Sequence, residues 1–341
     1  MRSWKNYGIF AALCLTTAQL WAGDPSLTAH EWLQKMSRAA HELDYEGTFV
    51  YLRDKHMVAM QITHVVDERG EHERLISLSG PGHEVVLSNN SMTSLLPGQS
   101  VPSANGKPRK SFPEALSEGV GQLENYYNFT LLGKQRVAGR LTQRINVKPK
   151  DSYRYGYRLW LDDSNGLLLK ADMVNEQGVP VEQVMFTEIS LNDVSAAEVV
   201  GSIAKHTKQE DSGSSVEKAE IALSEKQEFA PEDSQPDRKR VSDEWRITEL
   251  PEGFRLAERN KYIMPESRMP VEHLVLTDGL ASVSVFIEKS DPQDKFTGTS
   301  HRGAVNVYGM ISHGHQITLV GEVPVAAVQL IGQSIKHQSE P

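Results

Sequence analysis

Between Thr28 and Leu191 the chain breaks into ten short segments of period-two alternation, each closed by turn formers, and only two stretches have helical spacing. The segments run over 45–52, 57–66, 74–78, 84–87, 92–96, 129–134, 141–147, 153–161, 167–174 and 181–191. Successive side chains on a strand point to opposite faces, so this pattern asks for a sheet with one packed side. A parallel sheet needs a crossover helix between strands, and there are far too few helices for that. Gly80-Pro81-Gly82, Asp163-Ser164-Asn165-Gly166 and Asn175-Glu176-Gln177-Gly178 punctuate the run as turns. The expectation is a mainly β, α+β protein: one large curved antiparallel sheet with a helix across its concave side.

That helix is expected from Thr28, where Thr28 and Glu31 form a capping box and Trp32, Leu33, Met36, Ala40 and Leu43 fall on one face. A second, weaker one opens at Pro113. The polar stretch from Val101 to Lys110 reads as a mobile loop. After Trp245 a smaller α+β unit is expected, with hairpins around Asp278-Gly279 and His313-Gly314-His315 and a last helix from Pro324 to Lys336. Residues 201–240 are rich in Glu, Lys, Ser, Gln and Pro and read as a flexible linker. The division is therefore 1–23, 24–200, 201–240 and 241–341.

Residues 1–23 carry Arg2 and Lys5 ahead of an apolar run from Ile9 to Leu15, then small residues up to Ala22, the pattern of a secretory signal peptide. The run is shorter than the roughly 20 residues that span a bilayer. The single cysteine, Cys14, lies inside it. An exported chain is expected, with no disulfide to hold it.

Function classes fall away in turn. The net charge of −9 argues against nucleic acid, which needs a basic surface. The His-Glu pairs never extend to H-E-x-x-H, and no G-x-S-x-G, P-loop or dinucleotide glycine motif appears, so no catalytic residue, cofactor or metal site is expected. His313 with His315 is too sparse a ligand set. Two patterns keep an ordinary and a functional reading open. Tyr153 to Trp160 alternates aromatic and basic residues, which suits a strand with one packed face or a wall that meets a ligand or partner. Methionines and aromatics such as Met36, Met60, Phe49 and Tyr51 suit a core, or a cavity that adapts to an acyl chain.

Several of these residues carry a likeness. Trp32-Leu33 with Met36, Tyr45-Glu46-Gly47-Thr48-Phe49-Val50-Tyr51, Tyr153-Arg154-Tyr155-Gly156-Tyr157-Arg158-Leu159-Trp160-Leu161-Asp162, Asp278-Gly279-Leu280-Ala281 and Val320-Gly321-Glu322-Val323-Pro324 resemble the MucB/RseB family. The resemblance implies an unclosed β-barrel like the lipoprotein carriers LolA and LolB, with crossing helices and an apolar cavity, followed by a smaller α+β domain. It implies a periplasmic negative regulator of a stress-response sigma factor of the AlgU or sigma-E type. Such a protein binds the periplasmic domain of a membrane-spanning anti-sigma factor (MucA- or RseA-like), shields it from site-1 proteolysis, and is released by lipid or lipopolysaccharide. Expected cavity residues are Trp32, Met36, Phe49, Tyr51, Met60, Ile62 and Trp160. Expected partner-binding residues are Tyr155, Arg158, His273 and Tyr308. A homo-oligomer stays open. The alternative is a periplasmic lipid or lipoprotein carrier, which would not need the second unit.

Overall fold

The structure is a computed structural model and describes residues 27–68, 70–80, 82–88, 91–96, 99–102, 120–191, 244–263, 269–291 and 295–338. The expected signal segment, the linker at 201–240, Cys14 and positions 103–119 lie outside the described residues.

Helix α1, Ala29–Glu42, starts where the sequence caps it. The Thr28 hydroxyl accepts from the Glu31 N–H at 3.2 Å, and the Glu31 carboxylate accepts from the Thr28 N–H at 2.7 Å. Its inward stripe is Trp32, Leu33, Met36 and Ala39, the last in place of the expected Ala40.

Eleven strands follow in one antiparallel sheet: β1 (Tyr45–Arg53), β2 (His56–Asp67), β3 (Gly70–Ser77), β4 (Glu84–Ser88), β5 (Ser91–Leu96), β6 (Gln99–Pro102), β7 (Tyr127–Val137), β8 (Arg140–Pro149), β9 (Gly156–Asp162), β10 (Leu168–Val174) and β11 (Pro180–Leu191). A one-turn helix, α2 (Val120–Leu123), precedes β7. The strand order, β6-β5-β4-β3-β2-β1-β11-β10-β9-β8-β7, is two meanders joined where the first strand pairs with the last. β6 and β7 stand at the edges, so the sheet stays open, as the MucB/RseB resemblance implies. Register breaks at Thr48/Phe49, Leu132/Gln135, Leu168/Lys170 and Met173/Val174 put extra residues on one strand and bend it.

The second unit holds β12 (Trp245–Ile247), β13 (Arg255–Ile263), β14 (Pro270–Thr277), β15 (Ser282–Lys289), β16 (Gly298–Arg302), β17 (Val305–Ser312), β18 (His315–Gly321), α3 (Val325–Ser334) and β19 (Ile335–His337). Six strands form a sheet in the order β13-β14-β15-β18-β17-β16, and β12 pairs with β19. Leu274, Val285, Ile317 and Leu319 from the sheet pack with Val328 and Ile331 from α3 and with Trp245 and Phe254.

Two expectations need correction, and two strands were not expected at all. β6 begins at Gln99, inside what reads as the approach to a loop, and Val101 pairs with Ser94. The strand expected from Tyr153 begins only at Gly156, because Arg154 turns inward to an ion pair instead of alternating outward. β13 and β16 carry no readable apolar period, since both are edge strands exposed along most of their length. Of the helix expected from Pro113, only Val120–Leu123 falls among the described residues.

Candidate functional site: the concave face and the contact between the sheets

Cross-strand partners share a face, so the register fixes which residues look toward α1. Tyr51 pairs with Val184, Val184 with Ala171, and Ala171 with Leu159. Leu159 and Ala171 pack directly against Trp32, Leu33 and Met36 of α1. Phe49 and Tyr51 of β1, with their partners Met60 and Val58 of β2, therefore continue the floor beneath the helix. Ile62 and Phe186 are buried at its far end, with Phe49 and Phe186 ring centroids 5.7 Å apart. Trp32, Met36 and Ile62 are buried, whereas Phe49, Tyr51 and Met60 are half-buried and leave an apolar strip in reach of a ligand.

Trp160 is buried in one apolar cluster with Ala39 of α1, Ile62 and Phe186, against which Phe49 packs. The ammonium of its β10 partner Lys170 sits 4.3 Å from the ring centre, and its indole N–H donates to Gln135 Oε1 at 2.9 Å.

The two sheets meet around Arg154, whose side chain is fully buried. Its Nε donates to Asp278 Oδ2 at 2.5 Å, and its other nitrogens reach Asp151 and the carbonyl of Glu252. Its guanidinium lies 5.0 Å from the Tyr126 ring and 5.1 Å from Phe254. Burial by itself would lower the arginine pKa, but the hydrogen bond and charge of Asp278, with Asp151, raise it. Asp278 is held in turn, because its Oδ1 accepts from the N–H groups of Leu280 and Ala281 at 2.9 and 2.7 Å. Burial, then the Asp278 charge, pushes the Tyr127 hydroxyl far up, so it stays protonated. Gly253 makes the approach possible: its φ is +82°, and a Cβ there would lie 2.2 Å from the Tyr126 ring.

A second patch joins the β1–β2 turn to the β16–β17 turn. Asp54 accepts from the Gly303 N–H at 2.8 Å. Glu182 accepts from the Ala304 N–H at 3.1 Å and from the Tyr51 hydroxyl at 2.7 Å. A cleft of about 230 Å³ lies there, lined by Leu52, Asp54, Gln183, His301 and Gly303. Between the patches Asn306 Nδ2 donates to the Tyr155 hydroxyl at 3.0 Å and to the Val323 carbonyl at 2.8 Å.

Tyr155 is thus buried in the chain's own contact. Arg158 is half-buried on the convex side and donates to the Gly178 carbonyl at 3.0 Å. His273 on β14 stacks on Phe286 with centroids 4.5 Å apart. Tyr308 on β17 lies under α3, where a Cβ on Gly332 would come within 2.5 Å of its ring. These four do not converge on one surface. Sequence reasoning missed Arg154, Asp278, Glu182 and Asn306 as the residues that bring the sheets together. The available signal was Arg154 inside an otherwise strand-like aromatic run. Among the described residues no group of three or more His, Cys, Asp or Glu could hold a metal, and His313 stacks on His337 beside Trp245. No described helix is long and apolar enough to cross a membrane.

Residues 28–211 match the MucB/RseB N-terminal domain and residues 239–336 the MucB/RseB C-terminal domain. The sigma factor AlgU regulatory protein MucB of Pseudomonas aeruginosa is 30% identical over 318 residues, covering 91% of this chain and 92% of that protein. The sigma-E factor regulatory protein RseB of Haemophilus influenzae is 26% identical over 325 residues, covering 93% and 94%. Among solved structures, the Pseudomonas aeruginosa MucA/MucB complex aligns with a TM-score of 0.66 at 27% identity, covering 91% of this chain and 99% of that one.

Proposed function

The chain belongs to the MucB/RseB family, and from that membership we propose that it regulates a stress-response sigma factor of the AlgU or sigma-E type by binding the periplasmic region of a membrane anti-sigma factor. The observation that carries this reading is the fit of 91% of the chain to MucB solved with MucA. The relatives are named as regulatory proteins, and the chain is read as one, acting through surfaces and not through catalysis. The signal-like segment 1–23 supports export and, with it, a periplasmic site of action.

The finer steps rest on the site. Bound regulator shields the anti-sigma factor from site-1 proteolysis, and a lipid or lipopolysaccharide entering along the half-buried Phe49–Met60 strip releases it. Residues 24–200 and 241–341 act as two domains, with 201–240 between them. Tyr155 holds these domains together and does not touch the partner. The test is calorimetry of the mature chain with a purified anti-sigma periplasmic region, run beside a protease assay on that region. Saturable binding with slowed cleavage is the expected result. Absence of binding, with extraction of lipid from vesicles instead, would leave the carrier reading.

A further inference from the structure

At the C-terminal end of α1 a buried histidine is held by two acceptors at once. His64, side chain 1% exposed, stands on β2 with Nδ1 2.8 Å from the Leu43 carbonyl and Nε2 2.9 Å from Glu71 Oε1. A backbone carbonyl can only accept, and so can an ionised carboxylate. Neutral imidazole has one N–H and could satisfy only one of them. The other Glu71 oxygen lies 3.2 Å from His41 Nδ1 on α1. The hydrogen bond from His64 is the main cause that lowers the Glu71 pKa, so Glu71 is a carboxylate at neutral pH. Tyr45 stacks on the His64 ring with centroids 4.9 Å apart. Glu73 is the cross-strand partner of His64 and adds a further acid on that side.

We propose that His64 is a buried imidazolium that latches the end of α1 to β2 and β3, and that losing its proton loosens that end of the helix over the concave face. The groups that face it are His41 from α1, Tyr45 from β1, and Glu71 and Glu73 from β3. The sign follows from their balance. Burial alone would lower the His64 pKa, but the hydrogen bonds to Glu71 and Leu43 and the charges of Glu71 and Glu73 outweigh it and leave the pKa raised. A raised folded-state value stabilises below the ordinary histidine value, and that stabilisation is lost as pH rises through the folded one. On the acid side, the lowered Glu71 value makes its own contribution vanish as pH falls through it. The latch is therefore closed below the ordinary histidine value, down to where Glu71 takes up its proton, and opens as pH rises through the raised His64 value.

The test is nitrogen-detected NMR of the imidazoles in the full mature chain, with hydrogen exchange of the Ala39–Leu43 amides corrected for intrinsic rate. At pH 6 both His64 ring nitrogens should carry protons, and the corrected exchange should rise between pH 6 and 9. Glu71→Gln should lower the His64 titration midpoint and shrink that rise. His64→Gln should flatten it, and if that variant does not fold, the wild-type and Glu71→Gln measurements still decide. A singly protonated His64 at pH 6, or equal protection of Ala39–Leu43 at both pH values, would overturn the latch.

Discussion

A guanidinium taken out of water costs several kcal/mol unless its donors are met, and Arg154 meets that cost across the two sheets. Its partner Asp278 lies 124 positions away in the chain and is equally buried. Asp278→Asn keeps the Oδ1 acceptor for Leu280 and Ala281 but sets a neutral amide against a buried cation. We expect a loss of about 3 kcal/mol, within the cost of breaking a buried pair. Arg154→Met alone should also destabilise, while the double variant should cost less than the sum of the two. Urea unfolding of the three variants measures this, and strictly additive losses would mean that the pair does not interact as drawn. Little of it is legible in the sequence, where Arg154 is the one signal but sits in an aromatic-basic alternation and looks like an outward strand residue. The information lies in a pairing between distant segments, and no local pattern carries it.

At the scale of elements, local signals were enough wherever an element stands between water and core. α1 is legible because its cap and stripe are both local: Thr28 and Glu31 close the first turn, and the buried positions recur at helical spacing. β15 and β18 are legible because their apolar positions alternate against a core, and β14 because it carries the apolar run Leu274-Val275-Leu276. β13 is not, because hydrogen bonds to β14 define it and almost no burial does. The same distinction ranks the cost of mutations in α1. Leu33 is fully buried, so Leu33→Ala should cost about 2 to 5 kcal/mol through lost contacts and a cavity. Thr28→Ala removes only the cap and should cost about 1 kcal/mol. Chemical denaturation should give these losses in that order. A larger loss at Thr28 than at Leu33 would mean that the helix is held by its end and not by its face.

For the whole molecule, what matters is how firmly the two sheets are fixed to one another. The β1–β2 patch rests on Gly303, whose φ is +60° and whose Cβ, if it had one, would meet the Arg53 side chain at 2.3 Å and Glu182 at 2.8 Å. Gly303 lies in the turn between β16 and β17 and is absent from all three hydrophobic core clusters, so Gly303→Val should push the turns apart and leave each sheet folded. An anti-sigma tail that touches both sheets would then bind a changed surface. If lipid on the concave face acts by shifting that same arrangement, tail and lipid are linked, and each must weaken the other by one common factor. Coupling of about 1 to 3 kcal/mol, roughly five- to 150-fold, is the usual range for such pairs. Calorimetry of the intact mature chain should give equal factors whether lipopolysaccharide or tail is titrated first, and Gly303→Val should reduce both factors together while the melting profile changes little. A variant with an altered tail affinity but unchanged coupling would place the lipid effect inside the first sheet alone. Full coupling with unaltered affinity would show that the turn contact takes no part in the switch.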